Sequence, residues 1–594
     1  MRRLSVLIAL ILISLTLSPV SSALVPDDLL DLKSLTPGYI KSGGSITVQA
    51  ETLNPNIDVV ELWLSARPIT DLFAIEQNVV PITQAIVKNK KVVLTKSQMP
   101  VLADGVYQLV LRSIDGTKVI GEQAVPLVVA NIALKPRPAV FLIPIALPPT
   151  NSAASSFRPL LNAVKKRSVS LVVDGQVVSN LDPVIDQDIL SALQSNLAGV
   201  VGLGYANVDA DSLTKSQLGS LVAVSSSKTQ AILAKSQIEP KLMALWPSRG
   251  VLSSAGFELV AKNAVDLIVT SSENRSGLVN VATKSKTKLT AAIAQAQVTS
   301  ALETIANPVE LRQHLIAGST VNSDVFVLAA PLGWVPSYQA AMTAVSIFDL
   351  PWLDLKPVYE LTSLAKDGVA PGFELERKTF SNTHLKSLAL ANNKYRDLVA
   401  TTDENDSSQL TAAFEILSSA STWWWKARSS GVLFSEAAAQ AIAKQSNALQ
   451  VVARNKIVLP DKTGSVPITI VNDRTTDAKL KIAGRSINTS VVRIEPVVVT
   501  VPKNRKTVIE LPIEVVSGAQ SLVEIVITSP QNEPTTLPSS IIRIEVSSYG
   551  NTAKFILFGA FGVLLILSLI SIINRVRNRK TNADALASDT RGGL

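Results

Sequence analysis

The chain has 594 residues, of which 47% are hydrophobic and 5% aromatic, and its net charge is +9. This composition excludes a disordered chain, and the length suggests about three or four folded domains. The chain contains no cysteine and two histidines, His314 and His384, which match no metal-binding motif. Disulfides, thiolate nucleophiles and Cys-based zinc sites are therefore excluded, and we expect neither a metal nor a cofactor.

The first residues predict a secretory signal peptide. Two arginines precede an apolar run over residues 4–17, and Ser21 and Ala23 occupy the small-residue positions of a cleavage site. We therefore predict that residues 1–23 are a signal peptide. An uncleaved membrane anchor is the alternative, which the short apolar run disfavours.

A second apolar segment predicts a transmembrane helix near the other end. Residues 555–573 form an uninterrupted apolar run, which is long enough to cross a bilayer of about 30 Å. Four basic residues lie within 575–580, and the positive-inside rule keeps such a cluster in the cytoplasm. The sequence therefore predicts a single-pass type I cell-membrane protein, anchored in lipid through 555–573. Its ectodomain would be extracytoplasmic, and its polar tail, residues 574–594, cytoplasmic and disordered.

The distribution of charge argues against a nucleic-acid partner. The signal peptide carries +2 and the tail +3, which leaves +4 for an ectodomain of several hundred residues. No basic stripe interleaved with aromatic residues is visible in it. We therefore expect no binding to nucleic acid.

The ectodomain changes its pattern along the chain. Residues 35–134 contain short alternating runs separated by turn signals, which predict an N-terminal β-sandwich with one helical stretch at 69–77. Residues 139–382 alternate apolar strand-like runs with helical segments, which predicts a (β/α) barrel-like domain. The predicted strand runs are 140–146, 169–173, 199–203, 241–246, 266–270 and 325–330. The alternative for this region is an open doubly wound sheet, although no Gly-rich phosphate loop follows its predicted strands.

Two further regions complete the predicted fold class, which is multidomain and combines β with α/β architecture. Residues 383–453 are predicted to form a helical extension, in which Trp424 follows the apolar face of a helix and one of its neighbours, Trp423 or Trp425, is exposed. Core packing is the expected role of these tryptophans, and an exposed indole for contact with a glycan or a membrane is the alternative. Residues 455–547 return to strand alternation and predict a membrane-proximal, Ig-like β-sandwich.

Acidic residues follow several predicted barrel strands, where barrels carry their chemistry. Asp174, Asp182, Asp209 and Glu273 are candidate catalytic groups, since glycoside hydrolysis needs one carboxyl as acid and another as base or nucleophile. Asp182 and Asp209 also stand directly before helical segments, where capping of the helix is the alternative role.

Aromatic residues follow strands in the same region. Tyr205, Trp246 and Trp334 are candidate ligand-binding residues, because an aromatic platform suits the apolar face of a sugar ring. Packing within the loops is the alternative for the two tryptophans.

Two enzyme classes lack the residues that they require. Metal-dependent deacetylation on a barrel-like fold needs an aspartate with paired histidines, and the chain has no such pair. Serine hydrolysis lacks the G-x-S-x-G elbow. These absences favour binding over catalysis.

Five short segments of the sequence are similar to segments of a known protein family. They are residues 203–209 (LGYANVD), 244–247 (ALWP), 329–334 (AAPLGW), 350–353 (LPWL) and 466–473 (VPITIVND). With them the sequence resembles an uncharacterised actinobacterial family of exported, single-pass membrane-anchored proteins, often encoded beside the lipid II flippase. It departs from that family at Gly204 and Asn207, where Pro and Asp are usual. The resemblance implies a role in the cell envelope and no assigned activity.

Three functional hypotheses follow. The first is a non-catalytic module that binds a cell-wall glycan or an envelope protein and is linked to cell-wall assembly. The second is a carboxylate-dependent enzyme, similar to a glycoside hydrolase, acting on cell-wall polysaccharide. The third is a subunit of a membrane complex assembled through the transmembrane helix.

Overall fold

The computed structural model describes residues 30–131, 135–151, 153–215, 217–248, 250–273, 275–284, 289–371, 379–403, 406–487, 492–516, 520–547 and 549–588. The predicted signal peptide lies outside these residues. The chain forms two compact units, the first comprising Met1–Leu385 with Leu417–Val432 and the second Lys386–Ile416 with Leu433–Leu594. The fold mixes β and α structure as predicted, while the domain boundaries proposed from the sequence stay predictions.

The first unit begins with two sheets that share one core. Their strands are β1 (Leu30–Thr36), β2 (Tyr39–Ile40), β3 (Ile46–Thr52), β4 (Val59–Ser65), β5 (Val79–Ile86), β6 (Lys91–Lys96), β7 (Gly105–Asp115) and β8 (Lys118–Val129). The strand orders are β1-β3-β6 and β2-β8-β7-β4-β5. Alternate residues of β4, such as Val60 and Leu62, enter the core because successive side chains of a strand point to opposite faces.

The helix predicted over residues 69–77 is wrong. Bends and irregular backbone occupy this stretch. The Asp71 carboxylate accepts a hydrogen bond from the backbone N–H of Phe73 at 2.9 Å, which fixes a local turn instead.

A large curled sheet follows. Its strands are β9 (Arg137–Ile145), β10 (Ser170–Asp174), β11 (Val200–Leu203), β12 (Pro240–Leu245), β13 (Leu267–Ser272), β14 (Gly277–Val281), β15 (Leu289–Gln295), β16 (Phe326–Ala329), β17 (Leu353–Leu355) and β18 (Lys366–Gly368). The order is β16-β9-β10-β11-β12-β13-β15-β14-β18, with β17 beside β9, and β14 and β15 run antiparallel while the other pairs are parallel. Strands β15 and β16 also lie in contact, so the parallel part of the sheet curls until its ends meet.

Two hydroxyl side chains outside β15 form hydrogen bonds with the backbone of β16. The hydroxyl of Ser276, just before β14, accepts a hydrogen bond from Val327 N at 2.7 Å and donates one to Val327 O at 3.3 Å. Thr299 donates its hydroxyl proton to Ala329 O at 3.0 Å. These bonds satisfy backbone groups of β16 that would otherwise be buried without a partner.

Helices cover the outer face of this sheet. They are α1 (Arg158–Val164), α2 (Gly175–Ser179), α3 (Gln187–Gln194), α4 (Ala210–Leu213), α5 (Ser220–Lys235), α6 (Ser254–Ala261), α7 (Ala296–Thr304), α8 (Pro308–Gly318) and α9 (Tyr338–Ser346). A further short helix, α10 (Val358–Leu361), packs into the core inside the curl. On β9, Phe141 and Ile143 pack into the core beneath helices, while Val140 and Leu142 pack into a second core inside the curl. Both faces are buried, which explains why the strands read as continuous apolar runs.

The boundary between the two units runs through the predicted helical extension. Its helices are α11 (Asn382–Thr401), α12 (Ser407–Ser419) and α13 (Arg428–Asn447). A 3₁₀ turn, Thr422–Trp425, interrupts the helix that the sequence pattern places across this stretch. The Ser421 hydroxyl accepts a hydrogen bond from Trp423 N at 3.4 Å at the start of this turn.

Two sheets around a shared core form most of the second unit. Their strands are β19 (Leu449–Val452), β20 (Lys456–Leu459), β21 (Thr463–Asn472), β22 (Ala478–Ser486), β23 (Val492–Ile494), β24 (Val497–Val501), β25 (Arg505–Val515), β26 (Gln520–Thr528) and β27 (Ser540–Val546). The orders are β19-β21-β25-β23 and β20-β27-β26-β22-β24. On β27, Ile542 and Ile544 are buried and Arg543 is exposed, as its alternation predicts.

The described chain ends in one long helix, α14 (Tyr549–Ser588). Its segment Lys554–Arg577 is long and apolar enough to cross a membrane. The prediction that the tail is disordered is wrong as far as Ser588, because the helix continues past the basic cluster.

Candidate functional site

A cavity of about 250 Å³ lies at the carboxyl-terminal side of the curled sheet in the first unit. Its floor contains small apolar side chains from three strands, Val269 on β13, Ala294 on β15 and Ala329 on β16. Their small size leaves the space open, because bulkier side chains at these interior positions would fill it. The cavity therefore occupies the end of a barrel-like sheet at which loops supply functional groups.

Three indoles form much of the cavity wall. Trp246 comes from the loop after β12, and Trp423 and Trp425 come from the 3₁₀ turn. Gly333 has a φ of +78°, and a Cβ built there would lie 2.5 Å from Trp423 Cη2, so the loop after β16 packs closely against that indole. The wall is thus aromatic and held by its surroundings.

Hydroxyl groups supply polar atoms between the indoles. Ser248, Ser271 and Thr299 line the cavity, and the exposed side chains of Glu303 and Lys426 stand at its edge, 3.8 Å apart. This mixture of aromatic surface and a few hydrogen-bonding groups is typical of sites for small polar ligands.

Asn207 connects two parts of the wall. Its Nδ2 donates to Trp246 O at 2.7 Å and to Thr422 Oγ1 at 2.9 Å, and its Oδ1 accepts from Trp246 N at 3.2 Å. The side chain is buried, and its backbone φ is +43°. Asparagine tolerates this left-handed conformation better than most residues. One amide therefore sets the positions of the Trp246 loop and the 3₁₀ turn.

The turn that contains Asn207 rests on Asp174. Asp174 Oδ1 accepts hydrogen bonds from Gln176 N at 2.8 Å, as the N-cap of α2, and from Ala206 N at 2.9 Å. Its Oδ2 is buried without a hydrogen-bond partner among the described residues. Burial raises the pKa of Asp174 to about 7, although the two amides act in the opposite direction. Asp174 supports a turn whose Ala206, at φ +58°, is also left-handed.

Asp209 anchors the 3₁₀ turn directly. Its Oδ2 accepts hydrogen bonds from Trp425 Nε1 at 2.8 Å and from Ser212 Oγ at 2.5 Å. Burial raises the pKa of this carboxyl to about 6, while both hydrogen bonds lower it. Asp209 also precedes α4, and a hydrogen bond from the backbone N–H of Asp211 in that helix lowers its pKa further. The carboxylate therefore supports a wall residue and interacts with the first turn of α4.

The other two candidate carboxylates lie elsewhere. Asp182 is exposed and accepts hydrogen bonds from Val184 N and Ile185 N, which lower its pKa. Glu273 is exposed. None of the four candidate carboxylates is among the described residues that line the cavity, so the structure does not assemble them into an acid and base pair there.

The three aromatic candidates are also separated. Trp246 lines the cavity. Tyr205 is buried beside Ser179, and burial raises its pKa to about 12. Trp334 is buried in the core between helices and sheet, where its Nε1 donates to Leu302 O at 3.0 Å. The rings of Tyr205 and Trp334 are enclosed by protein and are not among the described residues that line the cavity, while their role in binding a ligand stays a prediction.

Both histidines are held by contacts with other residues of the protein. The ring nitrogens of His314 lie 3.0 Å from Glu310 O and 3.1 Å from Leu72 O. His384 stacks on Phe380 at 4.3 Å, and burial lowers its pKa. In the part of the chain that the structure describes, no group of histidine and acidic side chains could hold a metal ion.

Sequence reasoning missed most of the cavity wall. Thr422 and Lys426 were not site candidates, and for the run of three tryptophans an exposed indole that contacts a glycan was only the alternative to core packing. Trp424 is buried, as its position on the apolar face predicts.

Comparisons with known proteins give a family and weak structural likeness. Residues 150–584 match the model of a family of unknown function (DUF6049). No curated protein matches the chain. A family 4 carbohydrate esterase from Streptomyces lividans in complex with acetate shares 12% identity at a TM-score of 0.22, over 37% of this chain and 91% of that chain. A T48 deacetylase with substrate shares 10% identity at a TM-score of 0.24, over 40% of this chain and 96% of that chain. A FixG-related protein from Vibrio parahaemolyticus shares 9% identity at a TM-score of 0.13, over 17% of this chain and 94% of that chain.

Proposed function

The chain belongs to DUF6049, a family of unknown function, and from this premise we propose that it is a membrane-anchored, extracytoplasmic cell-envelope protein that binds a glycan without cleaving it. The cavity with its three indoles carries this proposal. Membership of the family identifies no ligand, so the argument rests on the chemistry of the cavity wall. The resemblance to envelope proteins encoded near the lipid II flippase supports cell-wall assembly as the setting.

The size and lining of the cavity suit one sugar ring. Its volume is about 250 Å³, just below the range of roughly 300–1,000 Å³ that small-molecule sites occupy. A pyranose has an apolar face that packs on an indole, and hydroxyl groups around its edge. Ser248, Ser271 and Thr299 offer hydrogen-bond partners to such hydroxyls.

Cleavage has less support than binding. Glycoside hydrolysis uses two carboxyl groups on either side of the scissile bond. Glu303 is the carboxylate among the described lining residues, and it forms an exposed ion pair with Lys426. Asp174 and Asp209 are buried supports of the wall and do not line the space.

Replacing Trp423 tests the proposed function. We expect Trp423→Ala to weaken binding of soluble cell-wall glycan fragments about 30-fold, because a central aromatic contact contributes about 2 kcal/mol. Trp423→Phe should retain most of the affinity. Isothermal titration calorimetry on the full chain in detergent micelles measures both.

Trp63 offers a matched control. It is a half-buried tryptophan on β4, in contact with Arg112 at 4.2 Å, and it does not line the cavity. Trp63→Ala should leave the affinity within about twofold of the parent. Equal losses in the Trp63 and Trp423 variants would contradict a binding site in the cavity. Release of shortened glycan by the parent chain would contradict binding without cleavage.

The topology is testable because the chain contains no cysteine. We expect a membrane-impermeant maleimide to label Val101→Cys in intact cells, since Val101 is 93% exposed and belongs to the proposed ectodomain. Ser588→Cys should be labelled only after permeabilisation, because the basic cluster before it is proposed to be cytoplasmic. The reverse labelling pattern would refute this orientation.

A further inference from the structure

Two cations lie next to one indole of the cavity wall. Lys426 lines the cavity, and its side chain is 74% exposed. Arg428 does not line the cavity, but its guanidinium lies over the ring of the lining residue Trp425, 4.8 Å from the ring centroid. Both cations follow Trp425 within three residues of the chain. They therefore form one positive edge beside Trp425.

This positive edge is held in place by the buried support of the wall. Trp425 is fixed through its Nε1 to the Asp209 carboxylate, 2.8 Å away. Phe380 packs against the same indole, with ring centroids 5.7 Å apart. Because Arg428 stacks on a fixed ring, its charge keeps a defined position beside the cavity. Such preorganisation lowers the entropic cost of binding an anion.

The nearby negative charge only partly balances the edge. Glu303 lies 3.8 Å from Lys426, at the limit of an ion pair, and both side chains are more than half exposed. Exposed pairs of this kind interact weakly. Arg428 has no ion-pair partner within 4 Å among the described residues of the first unit. The Asp209 carboxylate beside Trp425 is buried, so the exposed side chains here are two cations and one carboxylate. The exposed charge at this edge is therefore positive, although the predicted ectodomain as a whole is nearly neutral.

We infer that the cavity selects a sugar that carries an anionic substituent, a carboxylate or a phosphate, which lies against Lys426 and Arg428. This inference rests on the proposed glycan binding and names its ligand class. The sugar ring occupies the space between the indoles, and its anionic group accepts charge-assisted hydrogen bonds from the two cations. A neutral sugar of the same size fills the same space without these bonds.

Matched disaccharides test the inference. We expect the full chain in detergent micelles to bind a glucose disaccharide carrying a glucuronic acid unit, or one carrying a phosphate ester, about tenfold more tightly than the unsubstituted disaccharide. Whichever of the two anionic disaccharides binds with the higher affinity identifies the preferred group, a carboxylate or a phosphate. Raising the salt concentration should weaken only the anionic ligands, since exposed charges are screened.

Two substitutions are expected to change the preference for the anionic sugar in opposite directions. Lys426→Gln should remove most of the preference for the anionic sugar, while Glu303→Gln should increase it severalfold. Lys444→Gln, an exposed lysine on α13 that does not line the cavity, is the control and should change neither affinity.

The outcomes separate the two proposals. Equal affinity for neutral and anionic sugars, with loss of both in Trp423→Ala, overturns the anion preference and leaves glycan binding standing. Binding of neither sugar, or binding that Trp423→Ala does not change, overturns both proposals. Affinity for the anionic sugars that falls in Lys426→Gln and rises in Glu303→Gln supports the inference.

Discussion

Replacing Asn207 by alanine is expected to lower the free energy of unfolding of the first unit by about 4 kcal/mol. The substitution removes three side-chain hydrogen bonds, each contributing about 1 kcal/mol. It also leaves the backbone N–H and C=O of Trp246 without these partners in a buried place. A further cost of about 1 kcal/mol arises because alanine disfavours a φ of +43°.

Tryptophan fluorescence during urea unfolding measures this effect selectively. All seven tryptophans lie in the first unit, so their emission reports its unfolding and not that of the second unit. Asn89→Ala is the matched control, because Asn89 is exposed with a φ of +52°. It should show only the conformational cost of about 1 kcal/mol. A loss in Asn207→Ala no larger than this would show that the amide does not hold the wall.

The second large effect concerns pH. We expect the free energy of unfolding of the first unit to fall by about 3–4 kcal/mol between pH 4 and pH 8 because of Asp174 alone. Its pKa is about 7 in the folded chain because of burial, whereas an unfolded aspartate has a pKa of about 3.9. Between these values the folded state holds the proton more tightly, so stability declines as pH rises. Below about pH 4 and above about pH 7 the two states titrate alike, and this contribution is constant.

Asp174→Asn isolates that contribution. The amide keeps an acceptor for Gln176 N and Ala206 N but cannot ionise, so the variant should gain about 3–4 kcal/mol relative to the parent as pH rises from 4 to 8. Urea unfolding at a series of pH values, followed by tryptophan fluorescence, gives this difference.

Asp182→Asn provides a control of opposite sign. The pKa of Asp182 is lowered in the folded chain by Ile185 N and Val184 N. The parent should therefore gain stability relative to this variant as the carboxylate ionises with rising pH. A difference between Asp174→Asn and the parent that does not change with pH would mean that Asp174 ionises as an exposed carboxylate does.

The strands of the curled sheet could be predicted where their residues are branched and apolar. The predicted runs near Val169–Val173 and Gly199–Leu203 correspond to β10 and β11. Strand β15 was missed because its sequence, LTAAIAQ, is rich in alanine, which favours helices when isolated. Its side chains lie inside the curl, where the small Ala294 leaves room for the cavity, and no local pattern shows this.

The candidate site was harder to predict than the strands. The sequence directed attention to carboxylates after strands, and Asp174 and Asp209 do lie beside the wall. Their burial, however, makes them supports of the indoles, and burial depends on tertiary packing. The wall itself combines residues as distant in sequence as Trp246 and Trp425, which only the folded chain brings together.

The cavity lies where β15 and β16 come into contact and close the curled sheet. Ala294 on β15 and Ala329 on β16 both line the cavity, one on each side of the contact between these strands. The hydroxyls that bond β16 come from Ser276 and Thr299, which lie outside β15. A molecule that filled the cavity would contact both strands, and its binding free energy would then favour the closed form of the sheet.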